Sequence, residues 1–236
     1  MNHISELRRQ NLLLGSLTEA DWQSLQPHFE MVPLARSTVL HEAGVDLRHV
    51  HFPVTGMVSL VSHMSDGASA ELAVIGNEGV VGVCAFMGDD QAHSNAIVQS
   101  PGHALRIPAV TIAELTRQSH GIVRPVLRYA QTLFLHMGQT VACNRHHGLD
   151  QQLCRWLLLS IDRVHDNKLL ATQQQIAGML GVRREGVTSG ALKLQKAGLI
   201  SYARGQISIL NRKGLEQRSC ECYSVVTHAY ERLLAG

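Results

Sequence analysis

The chain has 236 residues, 45% of them hydrophobic, which is enough for two modest domains each with its own core. No apolar run approaches the roughly 18 residues of a membrane span. The N-terminus, MNHISELRRQNLLLGSL, has too short an apolar core and no small-residue cleavage site for a secretory signal, so a cytoplasmic address is expected. The net charge of +2 hides an asymmetry. Residues 1–144 carry 8 Lys and Arg against 12 Asp and Glu, whereas residues 145–236 carry 13 against 7. Cationic surface is therefore concentrated in the C-terminal part, as attraction to phosphates requires.

In chain order, residues 12–30 read as helical, with Thr18-Glu19-Ala20-Asp21 resembling a capping box and Trp22, Leu25 and Phe29 turned inward. Between Val32 and Ile107 the pattern changes to short alternating runs, such as 50–52, 57–61, 70–75 and 96–99. Gly44, Gly56, Gly67, Gly76, Gly79, Gly88 and Pro101-Gly102 punctuate them, a spacing that predicts a small β-barrel or jelly roll. Residues 109–117 form a short helix. A longer one runs from Gly121 to about Asn144, with Pro125 tolerated in its first turn. Its residues Leu127, Ala130, Phe134, Met137 and Val141 recur at alternating three and four, which predicts a dimerisation seam. Leu133 and Leu135, on other faces, fit packing on the barrel itself. Arg145-His146-His147-Gly148 reads as a hinge. Residues 149–164 then open a second domain with Leu153, Trp156, Leu157 and Ile161 as the core face.

Residues 172–192, TQQQIAGMLGVRREGVTSGAL, have the form of a helix-turn-helix. Thr172 is an N-cap, Ile176, Ala177 and Leu180 form an apolar stripe, and Gly181 occupies the turn that needs positive φ. The second helix starts near Arg183, with Val187 and Leu194 inward and Arg184, Glu185, Thr188 and Ser189 outward. Those outward side chains are of the kinds that read base edges. Gly186 and Gly190 lie inside this helix, each costing about 1 kcal/mol relative to alanine, which predicts a helix partly ordered by DNA. Lys193 and Lys196 place cations near its end, and Gly198 closes it. Residues 199–210 are two alternating runs flanking Arg204-Gly205, a short hairpin with Arg204 at its tip. A helix-turn-helix followed by such a hairpin is a winged helix, a DNA-binding module.

This succession of elements resembles the Crp/Fnr family of bacterial transcription regulators over nearly the whole chain, most specifically at residues 172–210. The resemblance implies an α+β fold: a cyclic-nucleotide-binding-like jelly roll at 12–120, a dimerisation helix at 121–144, a winged helix-turn-helix at 148–215 and a helical tail at 216–236. It implies a homodimer on a palindromic double-stranded operator, contact with RNA polymerase, and a small-molecule effector of unknown identity. Residues matching Arg184, Glu185 and Ser189 approach base edges in the family, and one matching Thr172 meets phosphate. The full DNA-binding set expected is Thr172, Gln173, Arg183, Arg184, Glu185, Thr188, Ser189, Lys193 and Arg204. Ser189 departs from the arginine often found there, so the operator should differ at that base pair.

The effector positions of such a roll fall on Val80, Val81, Gly82, His93, Asn95 and Thr140. A cyclic phosphate needs an arginine and the ribose a glutamate; here the glutamate position is Val80 and the arginine position falls near His93 or Asn95. No Lys or Arg occurs between Arg48 and Arg106, whereas Asp66, Glu71, Glu78, Asp89 and Asp90 do. A phosphate there would lose its hydration without a permanent partner, so cyclic AMP binding in the family manner is not expected. The five cysteines, Cys84, Cys143, Cys154, Cys220 and Cys222, begin too late for an N-terminal iron–sulfur set. Cys220 and Cys222 read as packing residues on one helix whose side chains do not face each other, and the 14 histidines single out no haem ligand. No cofactor, metal-ligand set or catalytic residue is assigned. The competing reading is a metal-binding jelly roll of cupin type, as an enzyme or metal sensor. It rests on His49 and His51, which share a strand face, but Val54 and Thr55 stand where a carboxylate ligand belongs.

Overall fold

The computed structural model describes residues 3–88, 91–118, 120–164 and 167–234. Three short helices, α1 (His3–Arg8), α2 (Leu12–Gly15) and α3 (Glu19–Leu25), lead into the sheet. Thr18 caps α3 by accepting from the Asp21 amide at 3.2 Å, as the sequence implies, and Trp22, Leu25 and Phe29 are buried. Asn11, fully buried, ties this segment to the sheet by donating to the carbonyls of Pro53 and Gly79, both at 2.9 Å.

Five antiparallel strands follow: β1 (Glu30–Leu34), β2 (Val39–His41), β3 (His49–His63), β4 (Ser69–Ile75) and β5 (Asn95–Pro108). They pair in the order β1-β5-β3-β4, with β2 also on β5. Sequence reading divides β3 and β5 into shorter runs at Gly56 and at Pro101-Gly102, but each is one long strand. The two glycine sites face each other where the register shifts between Thr55 and Met57. A Cβ on Gly102 would stand 2.3 Å from the Thr55 carbonyl oxygen, and one on Gly56 would stand 2.7 Å from that of Ser100. These glycines permit close backbone approach at a bulge; they do not end the strands.

From β5 the chain enters α4 (Ala109–Gln118) and the 27-residue α5 (His120–His146). Of the seam expected on α5, Ala130 is buried and Met137 packs on the sheet core, leaving Leu127, Phe134 and Val141 exposed at 54%, 63% and 67%. Helix α6 (Leu149–Ile161) is buried on every side from Gln152 to Ile161, because one face meets the winged-helix core and the other the roll.

The second domain continues with β6 (Lys168–Leu170), α7 (Gln173–Leu180), α8 (Arg184–Lys196), β7 (Ile200–Ala203) and β8 (Gln206–Ile209). The expected hairpin is present, but it carries a third strand, β6, which pairs with β8 and is too short to register in the sequence pattern. The tail is not one helix. It forms α9 (Arg212–Arg218) and α10 (Cys222–Leu234), separated by a break at Ser219 whose backbone is extended. The expectation that Cys220 and Cys222 face apart on one helix is therefore corrected. Cys220 lies in the break, Cys222 opens α10, and both are buried with Cys143 in a cluster of their own.

Candidate nucleic-acid interface

Helix α7 begins in a reciprocal cap: Thr172 Oγ1 accepts from the Gln175 amide at 3.2 Å, and Gln175 Oε1 accepts from the Thr172 amide at 2.9 Å. It ends at Gly181, whose φ of +65° satisfies the turn. Ile176, Ala177 and Leu180 face the core with Val187 and Leu194 of α8. Helix α8 is continuous from its N-cap at Arg183. Gly186 and Gly190, expected from the sequence to weaken the helix, also have a packing role. A Cβ on Gly186 would lie 2.8 Å from Leu149 Cδ2, and one on Gly190 would lie 3.2 Å from Leu153 Cδ2. The two glycines thus form the strip on which α6 crosses α8.

With that face buried, the opposite face of α8 is left to solvent. Arg183, Arg184, Glu185, Ser189 and Lys196 are exposed, and Thr188 is half-buried. Thr188 Oγ1 donates to Gln173 Oε1 at 2.7 Å, joining the two helices across the turn. The wing is fixed beside them. Tyr202 donates its hydroxyl to the Ala171 carbonyl at 2.7 Å, and the Ala171 amide donates to the Gly205 carbonyl at 2.8 Å. Arg204 and Gly205 take φ of +51° and +77°, the left-handed pair that a two-residue hairpin turn demands. Between wing and helices lies a groove of about 600 Å³ lined by residues including Thr172, Gln173, Arg184, Thr188, Tyr202 and Arg204.

Six of the nine DNA-binding positions expected from the sequence therefore meet around one groove, or, for Arg183, at its helix cap. Glu185 and Ser189 stand on the outward face, and Lys193 on a flank, 3.5 Å from Asp150 of α6. Sequence reasoning missed Leu192, Gln195 and Tyr202. Leu192 is 51% exposed, stands four residues beyond Thr188 on the same face and lines the groove. An apolar residue on a polar helical face was the available signal.

The effector positions have different surroundings. Val80 and Val81 are wholly buried; the Val80 carbonyl accepts from Tyr129 of α5 at 3.2 Å, and Val81 bridges to His51. Gly82 abuts Leu47, His93 is exposed, and Asn95 accepts from the Ala43 amide at 2.7 Å. Thr140 is on α5 and accepts from Arg155 of α6 at 3.3 Å, so it faces the second domain. Asp89 and Asp90 lie outside the described residues. The His49 and His51 rings are 6.3 Å apart between centroids, and burial pushes His51 down to about 3. Among the described residues no carboxylate or third ligand joins that pair. Nor is any described helix long and apolar enough to cross a membrane.

A family model described as a cyclic nucleotide-binding domain matches residues 31–119, and one described as a Crp-like helix-turn-helix domain matches residues 151–218. Solved structures share the architecture. A Crp/Fnr-family protein from Eubacterium rectale is 20% identical, with 89% of this chain and 98% of that one covered and a TM-score of 0.70. FixK2 from Bradyrhizobium japonicum is 15% identical over 81% and 98%, with a TM-score of 0.70. The c-di-GMP-responsive global regulator CLP from Xanthomonas campestris is 16% identical over 81% and 99%, with a TM-score of 0.62. Among curated proteins none matches the sequence. A Crp-like helix-turn-helix domain, joined through a long helix to a cyclic nucleotide-binding-type roll, defines a DNA-binding transcription regulator. The chain belongs to the Crp/Fnr family of such regulators.

Proposed function

We propose that the protein acts in the cytoplasm as a homodimer, paired along α5 through Leu127, Phe134 and Val141, and reads a palindromic operator. The single observation that carries this is the outward face of α8, where Arg184, Glu185 and Ser189 stand clear of the core beside the Arg204 wing. Arg184, Glu185 and Ser189 read bases, while Thr172, Gln173, Arg183, Lys193 and Arg204 position the phosphate backbone; Thr188 orients Gln173. Two α8 helices would enter successive major grooves with centres about 34 Å apart. RNA polymerase is the partner through which the bound dimer acts on transcription.

The roll serves as the sensor, with an effector that is uncharged or lacks the cyclic-phosphate chemistry. Buried Val80 and Val81, and the absence of Lys and Arg between Arg48 and Arg106, support this. Its output route is short. Arg36 Nη2 donates to Gln175 Oε1 at 3.1 Å, reaching the α7 cap, and Ser69 on β4 donates to the Gly178 carbonyl at 3.3 Å. Selection of bound duplexes from a random pool, with and without cell extract, tests the reading: a palindromic consensus is expected, and a pool left without consensus in both arms refutes it.

A further inference from the structure

Far from the groove, four side chains of metal-ligand type converge where α5, the hinge and the tail meet. Cys143 is in the last turn of α5, His147 follows four residues later in the hinge, Cys220 is in the α9–α10 break and Cys222 opens α10. Their ligand atoms all lie within 4.8 Å of one another. Cys143 Sγ is 3.5 Å from Cys220 Sγ, and Cys222 Sγ is 3.4 Å from His147 Nδ1. A tetrahedral ion with zinc–sulfur arms of about 2.3 Å has ligand–ligand edges of about 3.8 Å, so the cluster is sized for a single ion.

We propose that Cys143, His147, Cys220 and Cys222 form a Cys₃His site for one soft divalent transition ion of the zinc class, which clamps the α5–α6 hinge to the C-terminal helix. Three thiolates and an imidazole are the donor set that favours such an ion. The outer partners are also of the right kinds. His147 turns its other ring nitrogen, Nε2, to Glu221 at 3.4 Å, the carboxylate–histidine arrangement that fixes a ligating imidazole. Gln139 donates from its amide to Cys222 Sγ at 3.1 Å. Three thiolates and one divalent ion leave a net negative charge, and Arg155 supplies its complement. That guanidinium is buried beside Cys143, and its Nε has no hydrogen-bond partner among the described residues. Without an ion, three sulfurs form a buried cluster of cysteines alone, with no aliphatic side chain in it.

The location gives the site a consequence. His147 precedes the Gly148 N-cap of α6, and its carbonyl accepts from Gln152 of α6 at 2.8 Å. An ion on Nδ1 would hold the chain at the point where the DNA-binding domain joins the dimerisation helix. The site stands on its own geometry and does not depend on which operator or effector the protein uses.

The experiment uses the full chain, purified with reductant, stripped by a chelator and titrated with cobalt(II), then zinc(II). Expected are about one equivalent per chain, intense visible bands of tetrahedral cobalt with thiolate charge transfer, and their loss on zinc addition. Cys222→Ser should lower the charge-transfer intensity by at least one thiolate's share, Gln139→Ala should weaken affinity by about 10–100-fold, and Cys84→Ser should change neither. Alkylation of the unaltered protein supplies a readout independent of how a ligand variant folds. Labelled at a urea concentration where the stripped protein reacts, the zinc-loaded protein should show Cys143, Cys220 and Cys222 protected and Cys84 reactive. Cobalt without thiolate bands, or labelling of the three thiols under those conditions indifferent to zinc, overturns the proposal.

Discussion

The ion pair between Glu78 and Arg163 fastens the roll to the end of α6, and removing one partner should cost far more than removing both. Arg163 Nε lies 2.8 Å from Glu78 Oε1, with the two side chains only 6% and 9% exposed. Glu78 also accepts from the Gly76 amide at 3.1 Å, while Arg163 donates to the Leu159 carbonyl at 2.7 Å and lies over the Tyr230 ring of α10. Truncating the acid by Glu78→Ala leaves a largely buried guanidinium without its carboxylate, a loss of about 3–5 kcal/mol. Against a total stability of about 5–15 kcal/mol that is a large share. With a urea slope of about 1–3 kcal/mol per molar, the midpoint should fall by about 1 M or more. Replacing both residues, Glu78→Ala with Arg163→Met, should recover most of the loss, since neither partner is then a buried unpaired charge. The assay is urea denaturation at one fixed protein concentration, because the expected dimer makes stability depend on concentration. A Glu78→Ala loss below about 1 kcal/mol, or single-variant losses that simply add in the double variant, refutes the reasoning.

Burial holds the Glu71 carboxyl at about 7 against an ordinary 4.5. Its folded value exceeds its unfolded one, so its contribution to stability is complete below pH 4.5, falls as the pH rises toward 7 and is flat above; Glu71→Gln should remove that slope, worth up to about 3 kcal/mol, as read by denaturation at pH 5 and pH 8. Phe134→Asp should weaken self-association by about 2 kcal/mol or more in sedimentation equilibrium, and an unchanged association constant would exclude the exposed α5 stripe as the seam. Gly79→Ala would place a Cβ 2.2 Å from the rigid Tyr129 ring, so a loss of about 1–3 kcal/mol is expected in thermal melts.

Where local chemistry decides the structure, it was legible in the sequence. Thr18, Thr172, Gly181 and the Arg204-Gly205 turn behave as their side chains and φ preferences dictate, and the recognition helix is where its apolar spacing puts it. What escaped depends on contacts between distant segments. Gly56 and Gly102 look like turn punctuation until β3 and β5 are laid together, and Gly186 and Gly190 look like weak points until Leu149 and Leu153 cross them. Two of the five residues of the expected α5 seam, Ala130 and Met137, face the roll, a surface that periodicity cannot represent. Cys143 and Cys220 are 77 residues apart, so no spacing rule links them, and the break at Ser219 that brings Cys222 to the same place is masked by helix-forming neighbours. Leu192 is legible in the sequence as an apolar residue on the polar face of α8.

The claim that most needs direct measurement is that α8 discriminates bases. Binding of the full chain to a selected operator and to its single-base-pair variants should be compared across salt for the unaltered protein, Arg184→Ala and Arg204→Ala. Arg184→Ala is predicted to cost about 1–3 kcal/mol and to relax preference at one base pair per half-site. Arg204→Ala should weaken all variants alike and reduce the log–log salt slope by about 1. Equal weakening of every sequence by Arg184→Ala, or no preference for the operator over unrelated duplex at low salt, would contradict the account.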